Sequence, residues 1–268
     1  MGLLFLAVYM PTFQWLGKRW LMGVWYHSHG FLVLPLALYL MWRTLRAHEP
    51  GHAAGSAWGF AFLVPAVLLQ IADAAWRFEI LSAVSLVLAI CGGALLFLGL
   101  RRTQAIWFPL LLLGFMIPVP KLVAARIHLF LREITAPATE QVLAFIGYDV
   151  VREGTLLHLP FGSVQIADAC SGFNALLVTI FAGCLIVYLG VEGWWRRILV
   201  LAAIFPAAIL ANVLRCVVLV ILIGGYDMDI LNTWVHDFSG ICTFVAALLL
   251  LLGLEALLRP RARTGGQL

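Results

Sequence analysis

Apolar runs recur along the chain at 2–17, 29–46, 57–76, 79–100, 104–120, 170–190, 195–224 and 236–258, and short polar stretches separate them. A helix needs roughly 20 residues to cross the hydrocarbon of a bilayer, and these runs reach or approach that length. The pattern predicts an all-α polytopic membrane protein with about eight transmembrane helices. The first run is short and contains Pro11, which predicts a tilted or distorted helix.

One interval does not follow this pattern. Residues 118–168 are too polar to span. From Lys121 to Gly147, Leu122, Ile127, Phe130, Leu131 and Ile134 stand against Arg126, Arg132, Glu133 and Glu140. This mixture predicts a helix lying in the membrane interface, broken or kinked at Pro137 into two short pieces. Further on, Thr155, Leu157 and Leu159 alternate with Leu156 and His158. Pro160-Phe161-Gly162 supplies a turn, and Val164 alternates with Gln165 and Ile166. A period of two predicts a small β-hairpin that leads the chain into the sixth helix. Residues 1–258 thus read as one integral membrane domain with an insert at 118–168. Residues 259–268, basic and then Gly-rich, read as a disordered tail.

Composition sharpens the class. The chain is 63% hydrophobic and 11% charged, with a mean hydropathy of +1.03, which excludes a soluble domain of this length. The first run has neither basic residues before it nor a small-residue cleavage pattern after it, so no removable signal peptide is expected. A net charge of +4 with dispersed basic residues excludes a nucleic-acid partner.

Charge also predicts orientation. Arg43 and Arg46, Arg101 and Arg102, Arg196 and Arg197, and Arg259, Arg261 and Arg263 follow the even-numbered runs. The positive-inside rule then makes both termini cytoplasmic, against the one exception of Lys18-Arg19. Asp73, Arg77 and Glu79, the 118–168 insert, and Asp227 and Asp229 fall outside. So do His27, Ser28 and His29 at the start of the second helix, Cys170 at the start of the sixth and His236 at the start of the eighth. Arg215 precedes the outer end of the seventh helix by nine residues, roughly 13 Å of depth. These groups share the outer leaflet.

The candidate chemistry lies there. Cys91, Cys184, Cys216 and Cys242 sit within apolar runs, where thiols pack as small hydrophobes; Cys170 alone sits at a polar boundary, in Asp168-Ala169-Cys170-Ser171-Gly172-Phe173-Asn174. If Asp168 caps the sixth helix, Cys170 lies in its first turn, where N–H groups and positive potential favour a thiolate; Ser171 is an equal candidate for the cap. A central arginine in the membrane costs roughly 2.5–3.5 kcal/mol, so Arg215 requires either a structural partner, such as Asp168 or backbone carbonyls, or a function. Asn212 shares its helical face. Below His236, Gly240, Thr243 and Ala247 make a stripe that permits close helix packing. Cys170, Arg215 and His236 together make a workable acyl-transfer set of nucleophile, charge stabiliser and acid/base.

A metal site is not expected. His27 and His29 lack a convincing third ligand in His52, His128 or His158, and no metalloprotease, serine-hydrolase or nucleotide motif is present. No cofactor is expected either. Trp15, Trp20, Trp25, Tyr26, Trp76, Trp107, Trp194 and Trp234 read as interfacial anchors.

Five motifs in order carry a family likeness. They are Tyr26-His27-Ser28-His29-Gly30-Phe31-Leu32-Val33, Pro118-Val119-Pro120, Asp168-Ala169-Cys170-Ser171-Gly172, Asn212-Val213-Leu214-Arg215, and His236 with Gly240. With them the chain resembles, over nearly its whole length, the exosortase/archaeosortase family of membrane cysteine transpeptidases. The resemblance implies that Cys170, Arg215 and His236 are catalytic, with Asp168, Ser171, Asn174, Asn212, His29 and Ser28 in supporting or substrate-binding positions. It implies partners too: exported proteins with a C-terminal signal made of a short motif such as Pro-Glu-Pro, a transmembrane helix and a basic cluster. Membrane lipid surrounds the enzyme, and a lipid or polysaccharide is a candidate acceptor. Two other classes compete on the residues alone. A transporter or assembly scaffold would use Arg215 as a polar path or helix contact, and a lipid-dependent acyltransferase would share the cysteine.

Overall fold

A computed structural model describes residues 2–21, 29–47, 54–166, 171–226 and 234–259, without the side chains of 225, 226, 236 and 237. Asp168, Cys170 and Ser28 lie outside the described residues, as does the side chain of His236. The chain divides at Pro120 into two compact units, residues 1–120 and 121–268.

The first unit holds α1 (Gly2–Leu21), α2 (His29–Ala47), α3 (Phe60–Trp76), α4 (Ile80–Ala105) and α5 (Trp107–Leu112). Small residues let α3 and its leading 3-10 turn lie close to α4. A side chain at Gly92 would meet Gly59 O and Leu63 at 2.8 Å. Ser85 ties three helices together: its hydroxyl donates to Ala66 O at 2.6 Å and bonds the Tyr9 hydroxyl at 2.7 Å. The run at 104–120, expected as one span, is a six-residue helix followed by a 3-10 turn over Leu113–Met116. Trp20, expected at an interface, is buried. Its indole N–H donates to Met116 O at 3.1 Å and its ring fills the space beside Gly30 that a Cβ would need. An indole with its N–H satisfied is as stable inside as at a membrane surface.

In the second unit, α6 (Lys121–Phe145) leads to a three-stranded antiparallel meander and then to α7 (Phe173–Gly190), α8 (Trp194–Tyr226) and α9 (Trp234–Leu258). Two expectations change here. The helix α6 runs unbroken through Pro137, although proline removes one backbone bond. Its inward face, His128, Leu131, Thr135, Ala136, Thr139 and Leu143, is buried on both sides of the proline, and that packing offsets the lost bond. The hairpin has a third strand. Val151–Glu153 (β1), Leu156–Leu159 (β2) and Gly162–Gln165 (β3) pair in order, and Gly154 at φ 61° makes the extra turn.

The alternation read from the sequence governs how this sheet packs. Leu157, Leu159, Val164 and Ile166 point inward and join Val213, Cys216, Val217 and Val220 of α8 in one core with Ala136 and Leu143 of α6. At the β2–β3 turn the Phe161 ring lies over Gly224, where a Cβ would come within 2.5 Å of it. The meander is thereby seated on the C-terminal half of α8, the stretch that also carries Asn212 and Arg215. On its exposed side, Arg152 of β1 donates to Glu140 of α6 at 2.8 Å.

α8 is the central helix of this unit. Ala207, Ala208 and Ala211 are buried along it, and Ile204 packs where a side chain at Gly183 of α7 would stand. α9 presents Thr243, Ala247 and Leu251 inward, the small-residue stripe expected below His236 continued by one leucine.

Five of the described helical segments are long and apolar enough to cross a membrane, or six if residues 107–116 and 121–145 count together as one broken span. Helices α1 and α2, which include Lys18 and Arg19 in one case and Arg43 and Arg46 in the other, do not reach that hydropathy. The protein is an all-α polytopic membrane protein with a small sheet.

Candidate functional site

Helix α8 carries two buried polar residues three positions apart. Asn212 is 2% exposed and Arg215 9%. At that spacing they share one face of the helix. Their partners come from different elements. Asn212 Nδ2 donates to Thr135 Oγ1 of α6 at 3.4 Å. Arg215 Nε donates to Ser239 Oγ of α9 at 2.8 Å. Ser239 is three residues after His236 on the same helix, so this bond joins the helix of Arg215 to the helix of His236 within about one turn of the histidine.

Ser239 was not legible in the sequence as Arg215's partner. A hydroxyl there is unremarkable on an apolar helix, and Thr243, whose own hydroxyl donates to Ser239 O at 2.7 Å, would have been as good a guess. Around the guanidinium, Leu214, Val218, Leu222, Val235, Phe238 and Cys242 help to line a groove of about 310 Å³ between α8 and α9. A fixed cation in an apolar groove is poorly screened, so it acts strongly on a nearby anion.

Gly172, two residues after the cysteine in sequence, packs against Asn212 of α8. The helix α7 begins at Phe173, not at Asp168, and Cys170 therefore precedes it instead of lying in its first turn. The reason is Gly172. Its φ of 80° is left-handed, and a Cβ there would come within 2.6 Å of Asn212 Cγ. Right-handed helix cannot extend back through that residue. Ser171 does not take the cap position, which belongs to Gly172 without a side-chain cap bond; it stands one residue earlier and accepts from the Phe173 N–H at 3.3 Å. A void of about 10 Å³ beside Ser171 and Gly172 is lined also by Thr135 and Asn212, near the size that holds one water.

The remaining expected residues are placed as follows. Asn174 Oδ1 is buried and has no protein partner among the described residues. His29 opens α2 in the first unit and hydrogen-bonds the backbone of Phe115.

A residue set aside in the sequence belongs to this cluster. His128 of α6 is buried, and its Nδ1 is 2.6 Å from Ser171 Oγ. Its ring lies against Phe173 with centroids 4.6 Å apart. Taken only as a possible metal ligand, it had no function. The signal that would have found it is spacing: His128, Leu131, Thr135, Thr139 and Leu143 recur at three or four residues and mark the inward stripe of α6.

The amide and guanidinium of α8 thus meet hydroxyls of α6 and α9, and the α6 imidazole bonds Ser171, the residue after the cysteine in sequence. Such a set can hold a thiolate, exchange a proton and stabilise an oxyanion. No curated protein and no solved structure matches the chain. A family model does: that of the transmembrane exosortases matches residues 20–253, a span that takes in Trp20, the whole Ser171–Asn212–Arg215 region and α9 past Ser239. The chain belongs to the transmembrane exosortase family.

Proposed function

We propose that this protein is a membrane-embedded cysteine transpeptidase or protease. It cleaves a C-terminal sorting signal from exported proteins through a thioacyl-enzyme, then transfers or releases them. The observation that carries this reading is the Arg215–Ser239 bond within a chain of the exosortase family. It fastens a guanidinium one helical turn from the position of His236, and Ser171, the neighbour of Cys170, accepts from the Phe173 N–H beside Gly172, which packs against Asn212.

The chemistry follows from the residue types. The Cys170 thiolate attacks the carbonyl carbon of the scissile peptide bond, and a C–S bond forms. Negative charge moves to the carbonyl oxygen, where the Arg215 guanidinium and backbone N–H groups stabilise it. Collapse breaks the C–N bond. His236, protonated, gives its proton to the departing amine, and the transmembrane helix of the signal leaves with a new N-terminus. The acceptor's nucleophile, or water, then attacks the thioester and loses its proton to His236, and the thiolate is regenerated. Asp168, Ser171, Asn174, Asn212, His29 and Ser28 support the site or bind substrate. Both termini are cytoplasmic and the chemistry takes place at the extracytoplasmic leaflet of the cell membrane. Substrates are exported proteins ending in a short motif such as Pro-Glu-Pro, an apolar helix and a basic cluster; the acceptor is a lipid or polysaccharide.

The deciding experiment is Cys170→Ala in membranes that contain a substrate with such a C-terminus. Processing is expected to stop while the variant still inserts at normal levels, and wild-type processing would overturn the mechanism.

A further inference from the structure

The hydroxyl of Ser171 is held from two sides. It accepts from the Phe173 N–H at 3.3 Å and meets His128 Nδ1 at 2.6 Å. A serine hydroxyl has one donor and two acceptor sites. With one acceptor site taken by Phe173, either the imidazole donates to the other or the serine O–H donates to the imidazole. In both cases the ring is fixed. Phe173 holds its face at 4.6 Å between centroids, and the bond to Ser171 sets its rotation. Ser171 is 1% exposed and His128 8%. Breaking the pair would leave a buried polar group unsatisfied, which gives the contact a single stable geometry.

We propose that His128 is a positioning residue for the reaction assigned to Cys170: through the Ser171 hydroxyl it anchors the turn that joins residue 170 to α7. This rests on Cys170 being the nucleophile. Cys170 and Ser171 are consecutive, with Cα atoms about 3.8 Å apart, so an anchor on Ser171 limits where residue 170 can stand. Gly172, between Ser171 and α7, is left-handed and packs against Asn212, and a histidine on α6, 43 residues away in sequence, holds Ser171.

The experiment follows the rate at which iodoacetamide alkylates each cysteine of the purified full-length protein, read by mass spectrometry. His128→Phe keeps the ring contact with Phe173 and removes the hydrogen bond. His128→Asn keeps a hydrogen-bonding atom near the place of Nδ1. Alkylation of Cys170 is expected to fall about tenfold in His128→Phe, as the displaced thiol loses the surroundings that hold it as the reactive thiolate. Ser171→Ala should match it, and the double variant should be no worse than either alone, because both remove one contact. His128→Asn should recover most of the loss. Cys184 and Cys216 report on general loosening, and their rates should not change.

An unchanged or faster rate at Cys170 in His128→Phe overturns the proposal. So does a change shared by Cys184 and Cys216, or a failure of His128→Asn to recover what His128→Phe loses. Because alkylation needs no substrate, the result is separable from the proposed function. Processing that survives Cys170→Ala overturns the function, while a Cys170 rate indifferent to His128 overturns only the positioning.

Discussion

Arg215 of α8 donates its Nε–H to the hydroxyl of Ser239 on α9 at 2.8 Å, and this bond ties the guanidinium to the helix that carries His236. The bond uses the side edge of the guanidinium and leaves its orientation determined by a neighbouring helix, not by its own flexible stem. Lysine keeps the charge but has no such edge. Arg215→Lys is therefore expected to reduce processing about a hundredfold, the scale of losing one oxyanion donor. Ser239→Ala should be milder, and the double variant should resemble Arg215→Lys alone. Quantitative immunoblotting of substrate and product in membranes measures this. Equal rates for wild type and Arg215→Lys would reduce Arg215 to a structural residue.

The cysteines should separate by environment. Cys216 is 3% exposed within the core between the sheet and α8, Cys91 and Cys184 are half-buried, and Cys242 is exposed on α9 beside the α8–α9 groove. A thiolate reacts and a thiol does not. A polar maleimide should label Cys170 first and leave Cys216 unlabelled until the protein is denatured. Labelling of Cys170 no faster than Cys184 would argue that it is inert.

Gly172 should tolerate no side chain. An alanine there would sit in a left-handed conformation, at roughly 1–2 kcal/mol, and would also run into Asn212. Gly172→Ala should lower thermal stability and abolish processing. Adding Asn212→Ala removes the collision but not the backbone strain, so the double variant should melt between Gly172→Ala and wild type. A Gly172→Ala protein as stable as wild type would contradict the packing described.

The meander should be held by its apolar face and not by its ion pair. Leu157→Ala in the buried core should destabilise by about 2–5 kcal/mol. Arg152→Ala, which removes the partly exposed bond to Glu140, should change stability by less than about 1 kcal/mol. Thermal aggregation of the two variants in the same detergent compares them directly. The opposite ranking would mean that the sheet is not seated on α8 as described.

Local patterns carried much of this. The apolar runs are enough to require a membrane protein, because transfer of so many apolar side chains is additive along the chain and needs no knowledge of the fold. The alternation at Leu157 and Leu159 put both on one face, since successive strand residues face opposite ways whatever the sheet packs against. Arg215 was conspicuous because a cation in an apolar run is costly wherever its partner lies. The family, too, was readable from short motifs in order.

What the sequence could not supply were the partners. His128 lies 43 residues from Ser171, Thr135 lies 77 from Asn212, and Arg215 lies 24 from Ser239. Hydropathy and periodicity report what one segment prefers, whereas these contacts exist only once helices have chosen neighbours and depths. The start of α7 illustrates the same limit: an apolar run begins at Cys170, but the helix begins only at Phe173 because Gly172 before it is left-handed, packed against Asn212 of another helix. The sequence by itself determined that most of the chain forms apolar helices of a membrane protein and that Arg215 needs a partner. Only the tertiary structure decided which buried polar groups meet, because a hydrogen bond is fixed by distances of a few tenths of an ångström that no local pattern encodes.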